Sequence, residues 1–168
     1  MKKSLLLLVV AIFTLTTAFD ANAQWTDRNT FNLKGPVKTV YDNYGNAIWE
    51  FDEDGIYIKA DYEESICRDR QNRITDIHEE DGMSGKSYSY NSKGQVIKII
   101  ESAPNDYNTS KYTYNSKGYI AKEHCTGEWA SYTTTYTYQK FDKYGNWIKR
   151  TAKNKYGTTV ETRTITYY

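Results

Sequence analysis

Two prolines, two cysteines and two histidines are all that 168 residues hold of the types that most often break strands, cross-link chains and shuttle protons. Pro36 and Pro104 fall outside every candidate strand, so no β-ladder loses a donor to them. His78 stands beside Glu79-Glu80-Asp81, but a metal centre takes three or four converging ligands, and one acidic stretch reads as a solvated loop. His124 and Cys125 are neighbours, and neighbours on a strand point to opposite faces, so they are badly placed as base and nucleophile. Asp61, Glu63 and Glu64 are carboxylates whose separation in space the sequence does not give. No phosphate-binding Gly-rich loop, no G-x-S-x-G and no H-E-x-x-H is present. Charge of either sign is not in excess. Setting aside Lys2, Lys3 and Asp20 leaves 20 basic and 20 acidic residues with no basic run, which argues against nucleic acid as a partner.

Long apolar runs are confined to the start of the chain. Lys2 and Lys3 precede the apolar run Leu5 to Ala18, and Ala21-Asn22-Ala23 fits a small-x-small cleavage site. Residues 1–23 therefore read as a secretory signal, since the apolar core is shorter than the roughly 20 residues a spanning helix needs. No cysteine lies near the site, which argues against a lipoprotein. The expectation is an exported protein, periplasmic or extracellular, with a lead-in segment at 24–36 and one domain at 37–168. Export permits a bond between Cys67 and Cys125 without requiring one.

What the chain does have is tyrosine. Seventeen Tyr and four Trp accompany many Thr, while leucine is scarce after the signal. Aromatic and β-branched residues suit a pleated, half-buried surface. No window past residue 24 carries a helical apolar period, so the chain reads as all-β.

One phrase recurs: an aromatic residue, Asp or Asn, two mostly polar residues, then Gly. It appears as Tyr41 to Gly45, Phe51 to Gly55, Tyr90 to Gly94, Tyr114 to Gly118 and Phe141 to Gly145. Asn72 replaces the glycine in a degenerate copy from Arg68, and Asn154-Lys155-Tyr156-Gly157 is a shorter match. The Asx side chain bonds the backbone two residues on, and Gly, or Asn72, supplies the positive φ that closes a hairpin turn. About twelve strands joined by tight reversals follow, an antiparallel β-meander in one long curled or twisted sheet, with a barrel or sandwich as alternatives. Gly55, Asn72, Gly94, Gly118 and Gly145 fall along one edge, at intervals of 17, 22, 24 and 27 residues.

This turn sets register. The aromatic residue should oppose the residue two past Gly, pairing Tyr41–Ala47, Phe51–Tyr57, Arg68–Ile74, Tyr90–Val96, Tyr114–Ile120 and Phe141–Trp147. One step further the same count pairs Tyr88–Lys98 and Tyr112–Lys122, so that neither face reads as dry. Phe141 falls on the opposite parity from Tyr132, Thr134, Tyr136 and Tyr138, which predicts a bulge near Gln139-Lys140. In a flat meander Cys67 and Cys125 lie five strand spacings apart, roughly 24 Å, far beyond bonding reach.

The repeated unit over residues 37–168 resembles the YD repeats of Rhs-type bacterial surface and toxin proteins. It is more similar still to small secreted repeat proteins of Bacteroidetes, through Phe141-Asp142-Lys143-Tyr144-Gly145-Asn146-Trp147. The YD pattern often places Arg directly after Gly, and here only Arg73, after Asn72, fits. The resemblance implies a β-meander and an extracytoplasmic role. It implies no catalytic residue, and about six units are too few to enclose a cargo as large YD shells do.

Aromatic side chains then carry the functional expectation, because Tyr and Trp stack on sugar rings and anchor interfaces. Trp49, Trp129 and Trp147 lie at or near strand ends, and Tyr88 and Tyr112 share a sheet face. The expectation is a non-catalytic protein presenting a Tyr-rich surface to a glycan or a cell-envelope protein, with no cofactor. Pairing through free sheet edges is the alternative, and a polysaccharide-active enzyme is a third.

Overall fold

A computed structural model describes residues 25–58, 65–79, 82–128 and 131–168. Residues 1–23, expected to be a secretory signal, and the carboxylates Asp61, Glu63 and Glu64 lie outside these residues. After a one-turn helix, α1 (Asp27–Thr30), the described chain is antiparallel β-structure. One sheet has four strands, β1 (Val37–Tyr41), β2 (Ala47–Phe51), β3 (Tyr57–Ile58) and β13 (Thr164–Tyr167), in the order β13-β1-β2-β3. The other is a nine-stranded meander in sequence order. It runs through β4 (Ser65–Arg68), β5 (Ile74–His78), β6 (Gly85–Tyr90), β7 (Val96–Ala103) and β8 (Asp106–Tyr114). It continues with β9 (Ile120–Gly127), β10 (Ser131–Phe141), β11 (Trp147–Asn154) and β12 (Gly157–Thr162). The all-β antiparallel meander expected from the sequence is formed, but its thirteen described strands divide between two sheets where one long sheet was expected, and the nine-stranded sheet is not closed into a barrel, because among the described residues β4 and β12 stay as edges. Among the described residues no helix is long and apolar enough to cross a membrane.

The final run, Thr159 to Tyr168, reads as one strand but is two. It breaks at Arg163, whose backbone N–H donates to the Ile148 carbonyl at 3.1 Å and whose Nε donates to the Trp147 carbonyl at 2.6 Å. Beyond that corner β13 leaves the large sheet and pairs with β1, so the last strand of the chain closes on the first. No Gly or Pro marks the corner.

The recurring turn has the expected geometry. Asn115 Oδ1 accepts the N–H groups of Lys117 and Tyr119 at 3.0 and 3.1 Å, and Asp142 Oδ1 accepts those of Tyr144 and Asn146 at 2.9 and 2.8 Å. Gly45, Gly55, Gly94, Gly118 and Gly145 have φ between 76° and 87°, and Asn72 takes 62° in their place. Gly157 closes a different, tighter turn at φ 146°, opposite Asn154. All six cross-strand pairs expected from the turn are present: Tyr41–Ala47, Phe51–Tyr57, Arg68–Ile74, Tyr90–Val96, Tyr114–Ile120 and Phe141–Trp147. The bulge expected near Gln139-Lys140 is there too, as a register shift between Tyr138 and Lys140.

Register past those pairs differs from the simple count. Tyr88 opposes Ile99, not Lys98, and Tyr112 opposes Glu123, not Lys122. A bulge follows the turn, in which the residue three past Gly is left unpaired: Ile97 and Ala121 here, with Ile48, Thr75 and Ile148 in the equivalent places. Because side chains alternate, one extra residue exchanges the two faces. The faces are consequently unlike each other. On β10, Tyr132, Thr134, Tyr136 and Tyr138 are covered, whereas Thr133, Thr135, Thr137 and Gln139 are exposed.

The lead-in segment threads the row of turns. Asp27 is fully buried, and its carboxylate accepts from both terminal nitrogens of Arg68, at 2.5 and 2.7 Å, and from the Tyr57 N–H at 2.8 Å. Arg28 donates to the carbonyls of Val37 at 2.8 Å and Asp52 at 2.5 Å. Trp25 lies over Gly94 and meets Tyr90 edge-on, Asn32 donates to the Gly118 carbonyl at 3.4 Å, and Asn146 clasps the Lys34 backbone N–H and C=O, both at 2.8 Å. One short segment thus visits four of the turns along that edge and, through Arg68, the fifth. Leu33, Val37, Val40 and Phe51 form one core cluster, and Ile74, Ile77, Tyr88 and Val96 form another. Phe31 and Tyr57 pack against both and join the two sheets.

Two glycines with the same backbone separate the turn's own demand from that of the segment. Gly45 has open space where a Cβ would go, whereas a Cβ on Gly94 would come within 2.6 Å of the Trp25 ring. Gly45→Ala is expected to cost about 1–2 kcal/mol, the left-handed penalty alone. Gly94→Ala is expected to cost a further ~1–3 kcal/mol because a packed ring must move. Urea unfolding of the two variants checks this, and equal losses would mean that Trp25 does not pack on the turn.

Candidate functional site

The bulge after the Gly94, Gly118 and Gly145 turns selects what the covered face carries. The residue five past Gly is turned inward opposite a tyrosine: Ile99 opposite Tyr88, Glu123 opposite Tyr112, and Arg150 opposite Tyr138. The Asn72 turn puts Ile77 at the same place, and it is buried. A carboxylate and a guanidinium therefore enter a face otherwise made of tyrosines and aliphatic side chains.

The tyrosines are tied down at both ends. Tyr90, Tyr114 and Tyr138 each donate to the carbonyl of the residue two past the preceding turn: Ile74 at 2.6 Å, Val96 at 2.6 Å and Ile120 at 2.8 Å. Tyr112 and Tyr136 instead donate to Glu123, at 3.3 and 2.5 Å, and Ser110 donates to the same carboxylate at 2.7 Å. Three hydroxyls satisfy a carboxylate that would otherwise be costly to cover.

Tyr112, Tyr114, Tyr136, Tyr138 and Glu123 border a cavity of about 270 Å³. Tyr88, Tyr112 and Tyr136 line its floor on the large sheet, and Phe31 and Trp49 line the opposite wall. Lys86 and Glu101, paired at 2.8 Å, stand on β6 and β7. Trp147, Arg150 and Arg163 line the part beside β11. Both guanidinium groups stack on the Trp147 indole, with Cζ 4.2 Å from the ring centroid for Arg150 and 3.9 Å for Arg163. Arg150 also lies over Tyr136 at 4.0 Å and pairs with Glu161, Nε to Oε2, at 2.5 Å.

Burial dominates the protonation equilibria. It holds the Tyr88, Tyr112 and Tyr136 hydroxyls above the usual phenol range, and the Glu123 charge reinforces this for Tyr112 and Tyr136. Burial alone takes most of the credit for Tyr114, raised to about 12. Arg163 is lowered to about 9, first by burial and then by the neighbouring Arg150 charge. Burial also opposes the charge on Arg150, but Glu161 and Tyr136 outweigh it and leave its pKa raised.

Of the residues singled out in the sequence, Trp49, Trp147, Tyr88 and Tyr112 converge on this one cavity. Trp129 lies outside the described residues, as do Asp61, Glu63, Glu64, Glu80 and Asp81. His78 is exposed at the end of β5. His124 is exposed and Cys125 buried, on opposite faces of β9. Cys67 and Cys125 are both free thiols, on β4 and β9 of the same open sheet. Among the described residues no group of three His, Cys, Asp or Glu side chains is arranged to hold a metal ion. Glu123, Tyr136, Arg150 and Arg163 escape a reading that counts strands without the bulge. The repeated spacing of five from the turn residue is the signal that finds the first and third.

Tyrosines that are neutral when folded and easier to ionise when unfolded make stability fall with rising alkalinity. A phenol raised from 10 to about 12, as for Tyr114, contributes fully below pH 10, and its contribution disappears as pH climbs through about 12. The urea midpoint is expected to stay level to about pH 9 and to drop steeply between about pH 10 and 12, with phenolate absorbance at 295 nm appearing as the fold is lost. A flat midpoint to pH 12, or smooth titration of all tyrosines near pH 10 in the folded protein, would contradict the buried hydroxyl network. No family model matches this chain and no curated protein matches it, so what the site does is argued from its own geometry.

Proposed function

We propose that this is a non-catalytic, exported protein, periplasmic or extracellular, that binds a glycan through the aromatic cavity between its two sheets. The observation that carries this is the convergence of Trp49 and Trp147 with Tyr88, Tyr112 and Tyr136 around one cavity whose polar groups sit among aromatic rings. Aromatic faces stack on the C–H faces of a sugar, and a few fixed donors and acceptors set its orientation. A volume of about 270 Å³ sits near the lower end of small-molecule sites, which favours one ring, such as the end of a chain or a single residue, over an extended segment. Glu123 supports binding more than catalysis. Its carboxylate is engaged by three hydroxyls, and Glu101, which also lines the cavity, is paired with Lys86.

A cell-envelope protein as partner has its own support in the open sheet edges. β12 pairs with β11 on one side only, and its strand residues are mostly exposed, Val160 among them. An edge rich in β-branched residues, whose one charge, Glu161, is paired with Arg150, accepts a further strand.

Glycan-array screening of the protein without residues 1–23, followed by tryptophan fluorescence titration of the hits, tests the first proposal. Trp147→Ala and Trp49→Ala are each expected to weaken the best hit at least tenfold. An array with no hit, or hits indifferent to both substitutions, would remove the cavity from consideration. Concentration-dependent association in sedimentation, abolished by Val160→Lys with no glycan signal, would favour the edge instead.

A further inference from the structure

Among the described residues Arg163 is the charged side chain that keeps a buried nitrogen without a hydrogen-bond partner. Its residue is only 6% exposed, yet Nη2 is buried without a hydrogen-bond partner. Its Nε is used by the Trp147 carbonyl, and its guanidinium face by the Trp147 ring. Among the described residues no carboxylate forms an ion pair with it. Glu161 is taken by Arg150, and Asp142 by the Tyr167 hydroxyl and its own turn. A second guanidinium, Arg150, lies on the same indole and makes the positive charge harder to hold.

A buried guanidinium without a counter-ion is expensive for a protein to keep. Nothing in the strand corner requires that cost. The corner is made by the Arg163 backbone N–H and by Nε, and neither needs the outer nitrogens of the fork. Arg163 lines the same cavity as the stacking rings. A planar two-oxygen anion is the group that a guanidinium fork matches, through charge-assisted hydrogen bonds.

We propose that the ligand of this cavity is an acidic sugar, a uronic acid, whose ring stacks among the aromatic side chains and whose carboxylate accepts hydrogen bonds from Arg163. The ring half rests on the glycan reading above; the carboxylate half rests on Arg163 itself. Glu123 lies on the neighbouring part of the floor, where its carboxylate faces ring hydroxyls as an acceptor and repels a second anion. The site thus selects one carboxylate per ring and orients it toward β11. Binding also supplies the charge that the Arg150 and Arg163 pair lacks, so the ligand should strengthen the junction between the two sheets.

The test titrates the protein, by tryptophan fluorescence and by thermal shift, with D-glucuronate, D-galacturonate and D-mannuronate. Their neutral parents and their methyl esters are titrated beside them. At least one uronate is expected to bind ten or more times tighter than both its parent sugar and its methyl ester, and to raise Tm where these do not. Arg163→Gln should bring the uronate down to the level of the parent sugar. If that variant does not fold, the ester comparison decides alone, because it removes the charge from the ligand and leaves the protein intact. Parent sugar, ester and uronate binding alike would overturn the carboxylate assignment and leave the glycan reading standing. No binding by any of the three classes, with an empty glycan array, would overturn both.

Discussion

Everything in this fold depends on a turn that allows its strands one register. An Asp or Asn carboxyl or amide oxygen accepts backbone N–H groups two and four residues on, and a residue with positive φ closes the loop. The residue before it, aromatic at five places and Arg68 at the sixth, must then oppose the residue two past the positive-φ position, which holds at all six. Each such pair contributes on the order of 0.2–1 kcal/mol. Its larger effect is on alternatives, because a slip of one residue would carry every tyrosine to the solvent face. A long sheet with exposed edges and one leucine after residue 23, Leu33, has few other means of choosing its pairing.

The bulge that follows the turn converts register into a site. Without it, Lys98 and Lys122 would stand among the tyrosines; with it, Ile99 and Glu123 do, and Arg150 joins them. Tyrosine hydroxyls then act as mortar between repeats, since Tyr90, Tyr114 and Tyr138 reach back to the preceding hairpin. Few of these rings are free for a ligand. Their number reflects the repeat, and what singles out the cavity is where Trp49 and Phe31 of the other sheet and lead-in close over them.

Local chemistry was legible in the residues and non-local chemistry was not. A turn is written in five consecutive positions, so the hairpins and the six pairs could be read directly, whereas the division into two sheets and the pairing of β13 with β1 could not. The bulge is a property of two strands together, and the residues at its place, Ile48, Thr75, Ile97, Ala121 and Ile148, are of types found throughout the strands. The break at Arg163 sits in a continuous β-branched run, and only a buried charge betrays it. The lead-in segment, without strand character, turns out to bind the row of turns. Its Asp27 and Arg28 meet partners 41 and 24 residues away, in Arg68 and Asp52. Four of the five aromatic residues chosen as ligand contacts meet in one cavity, while the charged residues that give it polarity were hidden by the register.

The most direct measure of that register is a double-mutant cycle between Glu123→Gln and Tyr136→Phe, read by urea unfolding at pH 7. With Glu123 on the covered face, accepting the Tyr136 hydroxyl at 2.5 Å, the two substitutions should be coupled by about 1 kcal/mol or more. Lys122→Ala paired with Tyr136→Phe should then be additive within about 0.3–0.5 kcal/mol. Additive losses for Glu123 together with coupling for Lys122 would place the wrong residue inside, and would mean that the bulge, and the site it builds, are not there.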